Sequence, residues 1–343
     1  MAILFFELLQ VALGTRDKLS RVSSDVQWKN LLEESFRQAI TGVMLCGIDK
    51  LPKEQKPSID LLLEWIGETQ IIEETAKIHQ QRTRELSAMF HTVGFRSCVL
   101  KGMAIARYYP QPLRRQCGDI DLWTFGRRKD VMLWLRSQYE IGHLVWHNVG
   151  VEVFEDVPVE VHFHPAWVYN PFRNYRLQYW FKKMAERKCE EDGLNVMPVE
   201  FDAVFSLVHT YRHFLVEGVG LRHIVDYFYI LERLHTENTE ITEILTTLRR
   251  FGMMKFAGAM MYVMKRACGA HNDILLCKPN EKEGKFLLEE IMAAGNFGHD
   301  RIGAELKTNS LRRYAVMIMH YPGDVVWMIP WKIWHKCWRV ANK

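Results

Sequence analysis

The chain has 343 residues, of which 48% are hydrophobic and 25% charged; these are ordinary globular fractions that exclude disordered, collagen-like and low-complexity classes. Its formal net charge is only +4, and a pI of 8.6 leaves no strong nucleic-acid footprint. Seven widely spaced cysteines with no C-x-x-C pair argue against a disulfide framework or a structural zinc site, and point to a reducing, cytoplasmic compartment.

Taken in order, the first stretch, MAILFFELLQVAL, is apolar for about a dozen residues, has no basic start and contains Glu7. It fits neither a signal peptide nor a span of roughly 18 apolar residues. Residues 1–94 are expected to be helical. Leu61, Leu62, Trp65, Ile66, Ile72 and Ile78 recur at near-helical spacing. Ser58 with Asp60 suits the start of that helix and Gly94 its stop. Residues 51–57, with Pro52 and Pro57, form the clearest linker.

The pattern changes at residue 95. Ser97 to Leu100 is a short apolar run ended by Lys101-Gly102. Met103 to Tyr109 suits a short helix stopped by Pro110 and Pro112. Gly118 to Phe125 alternates with period two, as a strand does. Asp130 to Tyr139 is a second helix, and two strand-like stretches follow between Leu144 and His164. The order β-α-β-α-β-β describes a small α/β core over residues 95–170. Beyond Asn170 the chain is expected to be helical again to residue 343, with helices at Phe201–Glu217, Leu221–His235, Thr239–Phe251 and Met254–Ala267. The fold class is therefore α+β: a small mixed β-sheet flanked by N- and C-terminal helical regions. Near the end, Trp327, Trp331, Trp334 and Trp338 fall on one helical stripe, with Lys332, His335, Lys336 and Arg339 between them. Such a stripe suits a terminal helix packed on the domain, which is the commoner outcome, or a membrane-surface contact through residues 327–339.

The chemistry concentrates between residues 99 and 164. Asp119 and Asp121 share one strand face, about 7 Å apart, and such a pair calls for a positive partner. Mg²⁺, or Mn²⁺ in its place, takes oxygen ligands of this kind. Glu160, His162 and His164 alternate with Val159, Val161 and Phe163, so Glu160 can join the aspartates if the two strands are neighbours. Three carboxylates can hold two cations for in-line displacement at phosphorus. Lys101 and Gly102 stand where a strand gives way to a helix and suit a phosphate. Seven Lys/Arg against three Asp between residues 101 and 130 favour a polyphosphate there. Arg115 has two readings, a phosphate contact or a brace for the loop before the strand. His162 is read as a hydrogen-bond partner of Glu160 or of substrate. His143, His147, His162 and His164 lack zinc spacing, and Thr210 stands where H-E-x-x-H needs Glu between His209 and His213. Arg222 and Asp226, four apart, are expected to form an ion pair on a helix surface.

Leu100-Lys101-Gly102, Tyr109-Pro110, Arg115 with Gly118-Asp119-Ile120-Asp121-Leu122, Glu160-Val161-His162, and Gly220-Leu221-Arg222 with Asp226 resemble the bacterial family of uncharacterised nucleotidyltransferases, in the DNA polymerase β-like superfamily. The resemblance covers about residues 60–235. It implies a small nucleotidyltransferase core and transfer of a nucleoside monophosphate from an NTP, ATP among them, to an acceptor. It makes Asp119, Asp121 and Glu160 catalytic and metal-binding, and makes Lys101, Gly102 and Arg115 nucleotide-binding. His162 supports them, and the family signature sets Arg222 at the site mouth. One departure is Met103 after Gly102, where better-understood relatives carry Gly-Ser or Gly-Gly. The acceptor stays open among small molecules, glycans, proteins and RNA. So do a catalytically inactive binding or regulatory module and another phosphoryl transfer on the same fold.

Overall fold

Apolar side chains at helical spacing build the N-terminal quarter. The computed structural model describes residues 2–191, 193–296 and 306–342. Helices α1 (Ala2–Leu13), α2 (Asp25–Arg37), α3 (Thr41–Lys50) and α4 (Ile59–Thr92) lead the chain. Ser24 and Gln27 close a capping box on α2, satisfying amides that a helix start leaves open. The 34 residues of α4 span roughly 50 Å, and Gly94 ends it with φ +81°. Ser58 precedes α4 without a side-chain cap. The proline-flanked linker is a packed turn: buried Gln55 donates to and accepts from the Leu19 backbone.

The sheet follows. Strands β1 (Ser97–Val99), β2 (Ile120–Thr124), β3 (Glu140–Leu144), β4 (Asn148–Glu152) and β5 (Val159–His162) lie in the order β1-β2-β5-β4-β3. Only β2 and β5 run parallel; the other pairs are antiparallel. Helix α5 (Met103–Ala106) is a single turn, shorter than the spacing predicts, and α6 is Arg128–Gln138. Strand β3 is the one the pattern misses. It is an edge strand, largely exposed, so no buried face imprints alternation on its sequence.

After the sheet come α7 (Pro171–Met184), a hairpin of β6 (Cys189–Glu191) and β7 (Leu194–Val196), and helices α8 (Val199–Val216), α9 (Leu221–Thr236), α10 (Ile241–Arg250), α11 (Met254–Val263), α12 (Glu281–Ala294), α13 (Leu306–His320), α14 (Pro322–Val325) and α15 (Met328–Ala341). The hairpin corrects the all-helical expectation beyond Asn170. Its three-residue strands are too short to show a period, and Gly193 turns between them at φ +74°.

Alternation across β2 and β5 sorts the core into two. Ile120, Leu122, Val159 and Val161 pack with Leu86 and Phe90 of α4 and Val131 and Leu135 of α6. On the opposite face, Trp123 stacks on Phe201 of α8 at 5.8 Å and joins a larger core that also takes in α1, α3 and the C-terminal helices. That second face carries the polar residues described next. Among the described residues, no helix is long and apolar enough to cross a membrane.

Candidate active site

Parallel pairing of β2 with β5 sets Asp121 opposite Glu160 and Trp123 opposite His162. Registered neighbours share a face, and i, i+2 residues along one strand share it too. The sheet thus gathers Asp121, Glu160 and His162 without help from any loop. One ligand atom from each lies within 4.8 Å of the other two. His162 Nε2 stands 2.7 Å from Asp121 Oδ1 and 3.3 Å from Glu160 Oε2. Lys101 Nζ stands 2.9 Å from Asp121 Oδ2. Asn148, across from His162 on β4, donates to Glu160.

Asp121 is fully buried. Burial alone would raise its carboxyl, but the Lys101 ammonium and the His162 ring hold it below the usual carboxylate range. Burial likewise opposes a charged His162; hydrogen bonds to Asp121 and Glu160 outweigh it and lift the imidazole to about 9. The ring is therefore protonated at neutral pH and donates to Asp121 rather than offering a lone pair.

Asp121 Oδ2 tests the fit to a cation. It is buried, and the Lys101 ammonium at 2.9 Å is its one partner among the described residues. A buried carboxylate oxygen with lone-pair capacity to spare, beside the half-buried Glu160, suits a hard divalent ion. Asp119 stands outside the tight group. It is partly exposed and lines a narrow cleft with Lys101, Gly102, Ser206, His209 and Arg222. The cavity volume there is about 50 Å³.

Residues 24–269 match the family described as uncharacterised nucleotidyltransferase. The chain belongs to this family. A crystal structure of an antigenic nucleotidyltransferase-like protein from Paracoccidioides brasiliensis aligns with 61% of this chain and 96% of that chain, at 11% identity and a TM-score of 0.32. No curated protein matches the chain.

Gly220-Leu221-Arg222 and Asp226 have a concrete position here. Asp226 on α9 accepts from Arg115 Nε at 2.7 Å and Nη2 at 2.8 Å, and from the Tyr109 hydroxyl at 2.5 Å. Arg115 and Asp226 are both buried. Arg222 donates to the Gln116 carbonyl at 3.0 Å. The expected surface pair of Arg222 with Asp226 is thus corrected. Asp226 is committed to Arg115 and Tyr109, and both α9 residues grip the segment that delivers Gly118 and Asp119.

Gly102 adopts φ +55° and ψ −117°, a backbone that a side chain resists. Sequence reasoning missed the α8 wall of the cleft: Phe205, Ser206 and His209 carry no local motif, and only tertiary packing brings them over the sheet. It also grouped His164 with His162, but the strand ends between them. His164 turns away and stacks on Trp146 at 4.1 Å.

Proposed function

We propose that this family member transfers a nucleoside monophosphate from an NTP to an acceptor hydroxyl or phosphate, with pyrophosphate as the leaving group. The observation that carries the reading is the registered Asp121–Glu160 pair with Lys101 against it, on a chain of a nucleotidyltransferase family. Asp119, Asp121 and Glu160 would hold Mg²⁺ or Mn²⁺. Such an ion, when bound, neutralises polyphosphate charge and activates an attacking oxygen.

The remaining work falls to the chain's own side chains. His162 keeps Asp121 ionised and oriented. Lys101, at the cleft wall beside Gly102, exchanges its carboxylate partner for a phosphate oxygen when the triphosphate enters. Arg115, locked by Asp226, fixes the approach of Gly118 and Asp119; its part is positioning. The cleft between the Lys101–Gly102 turn and the α8–α9 wall is where the triphosphate would enter.

The test is thermal unfolding with Mg²⁺ and each NTP in turn. One nucleotide should raise the melting temperature in a metal-dependent way, because a ligand that binds only the native state stabilises it. Asp121→Asn should abolish the shift while leaving the far-ultraviolet circular dichroism spectrum unchanged. A wild-type chain that no NTP shifts would defeat the reading.

A further inference from the structure

The last helix combines the two arrangements its tryptophans allow. Its inner edge is packed. Trp331 stacks on Trp167 at 3.9 Å, and His335 accepts from the Trp146 amide at 3.3 Å. Its outer edge is uncovered: Ile333 is 62% exposed, and Ile329, Trp334 and Val340 are exposed beside it. Helix α7 lies alongside and presents Phe172, Tyr175 and Tyr179, all exposed, at i, i+3 and i+7. Phe172 meets Trp327 edge-on at 6.4 Å. Between the two helices opens a cavity of about 590 Å³, lined among others by Tyr169, Tyr175, Trp327, Pro330, Trp331 and Trp334.

The cavity has few polar groups to offer. Asn174 Oδ1 already accepts from the Val168 amide and from Gln178, and Gln178 also donates to the Ala166 carbonyl. Burial drops the His164 imidazole to about 4, so it is neutral and stacked on Trp146. Beyond the indole N–H and tyrosine hydroxyl groups of the lining, a hydroxyl-rich ligand would find little to bond. An alkyl chain would lose nothing and bury much. The two helices carry one sign of charge. Helix α7 carries Arg173, Arg176, Lys182 and Lys183, α15 carries Lys332, Lys336 and Arg339, and neither contains an acidic residue. Arg173 is taken by Asp324; Arg176, Lys182, Lys183, Lys332, Lys336 and Arg339 are exposed.

We propose that the α7–α15 face docks on the surface of an anionic phospholipid bilayer, with the basic residues at the headgroups and one acyl chain entering the aromatic cavity. Exposed aromatic and aliphatic residues interleaved with cations on two adjacent helices are the chemistry of interfacial binding. No covalent step is involved, and the site is separate from the carboxylate cluster.

Flotation of the full chain with vesicles tests this. The chain should float with vesicles of phosphatidylcholine and phosphatidylglycerol in equal parts, should stay behind with phosphatidylcholine alone, and should be released by high salt. Vesicles with brominated acyl chains should quench its tryptophan fluorescence. Reversing Lys332, Lys336 and Arg339 to Glu should cut the bound fraction about tenfold or more, and Ile333→Glu should weaken it too. These side chains are exposed, so the melting temperature should not move. Failure to float with either vesicle, or equal flotation with both, overturns the proposal. So does a dimer in analytical ultracentrifugation that Ile333→Glu breaks while vesicles are ignored, because the face would then belong to a second copy.

Discussion

Arg115 and Asp226 stand 111 positions apart in sequence and meet in the interior, where an ion pair holds only if both partners stay. Asp226→Asn would leave the Arg115 guanidinium buried without its carboxylate, at a cost of about 3–5 kcal/mol. Urea unfolding should show that loss, together with a weakened nucleotide response, because the loop before Asp119 would lose its brace. A loss below about 1 kcal/mol would mean that the pair behaves as a surface contact. Gly102→Ala tests backbone geometry. At φ +55° the added methyl should cost about 1–3 kcal/mol even though its nearest neighbour, the Asp119 carbonyl, would be 3.8 Å away. The penalty would come from the dihedral and not from a clash. The G-D-x-D spacing from Gly118 to Asp121 makes Asp119 and Asp121 visible in sequence. The partner that Asp226 would choose was not visible, because Arg222 satisfies the same i, i+4 rule and only the fold decides between them.

At the scale of elements, α15 is fastened by aromatic stacking along one edge. Trp331→Ala removes its contact with Trp167 and should cost about 2 kcal/mol. Hydrogen exchange should then speed up across Met328–Ala341 with little change in β2 or β5. Uniform acceleration through the sheet would show instead that the helix is part of the central core. The strands show why sequence reading stopped where it did. Strands β2 and β5 are covered on both faces of the sheet, and β5 announces itself by strict alternation from Val159 to His164. The partnership of β2 with β5 was an assumption that the parallel register bears out. Strand β3 escaped because a solvated edge imposes no pattern. The β6–β7 hairpin escaped because three residues cannot display a period.

The molecule as a whole buries several neutral imidazoles, and this sets its acid response. Burial lowers His209 well below its ordinary value and brings His213 down to about 4, with Arg212 adding to the effect and Glu217 opposing it. His164 falls to about 4 for the same reason. An unfolded chain takes up these protons near pH 6.5, while the folded chain refuses those of His213 and His164 until about pH 4 and holds His209 neutral well below its ordinary value. In that window the unfolded state binds more protons, so stability rises with pH and is lost as pH falls. The melting temperature should drop steadily between pH 6.5 and 4, and a flat profile would place these rings in contact with water. The helical wrapping, legible as amphipathic runs, supplies both this histidine-rich wall and the cleft above the sheet. Its assembly depends on packing between α8, α9 and the N-terminal helices that no local pattern encodes.

The central claim is that Asp121 and Glu160 hold a divalent cation together with an NTP. Electron paramagnetic resonance of Mn²⁺, titrated into the chain with each NTP, tests it most directly. The wild type should bind Mn²⁺ more tightly when the right nucleotide is present, and Asp121→Asn and Glu160→Gln should each abolish that gain while the fold survives. Mn²⁺ that stays free with every nucleotide, or that binds the variants as well as the wild type, would contradict the account.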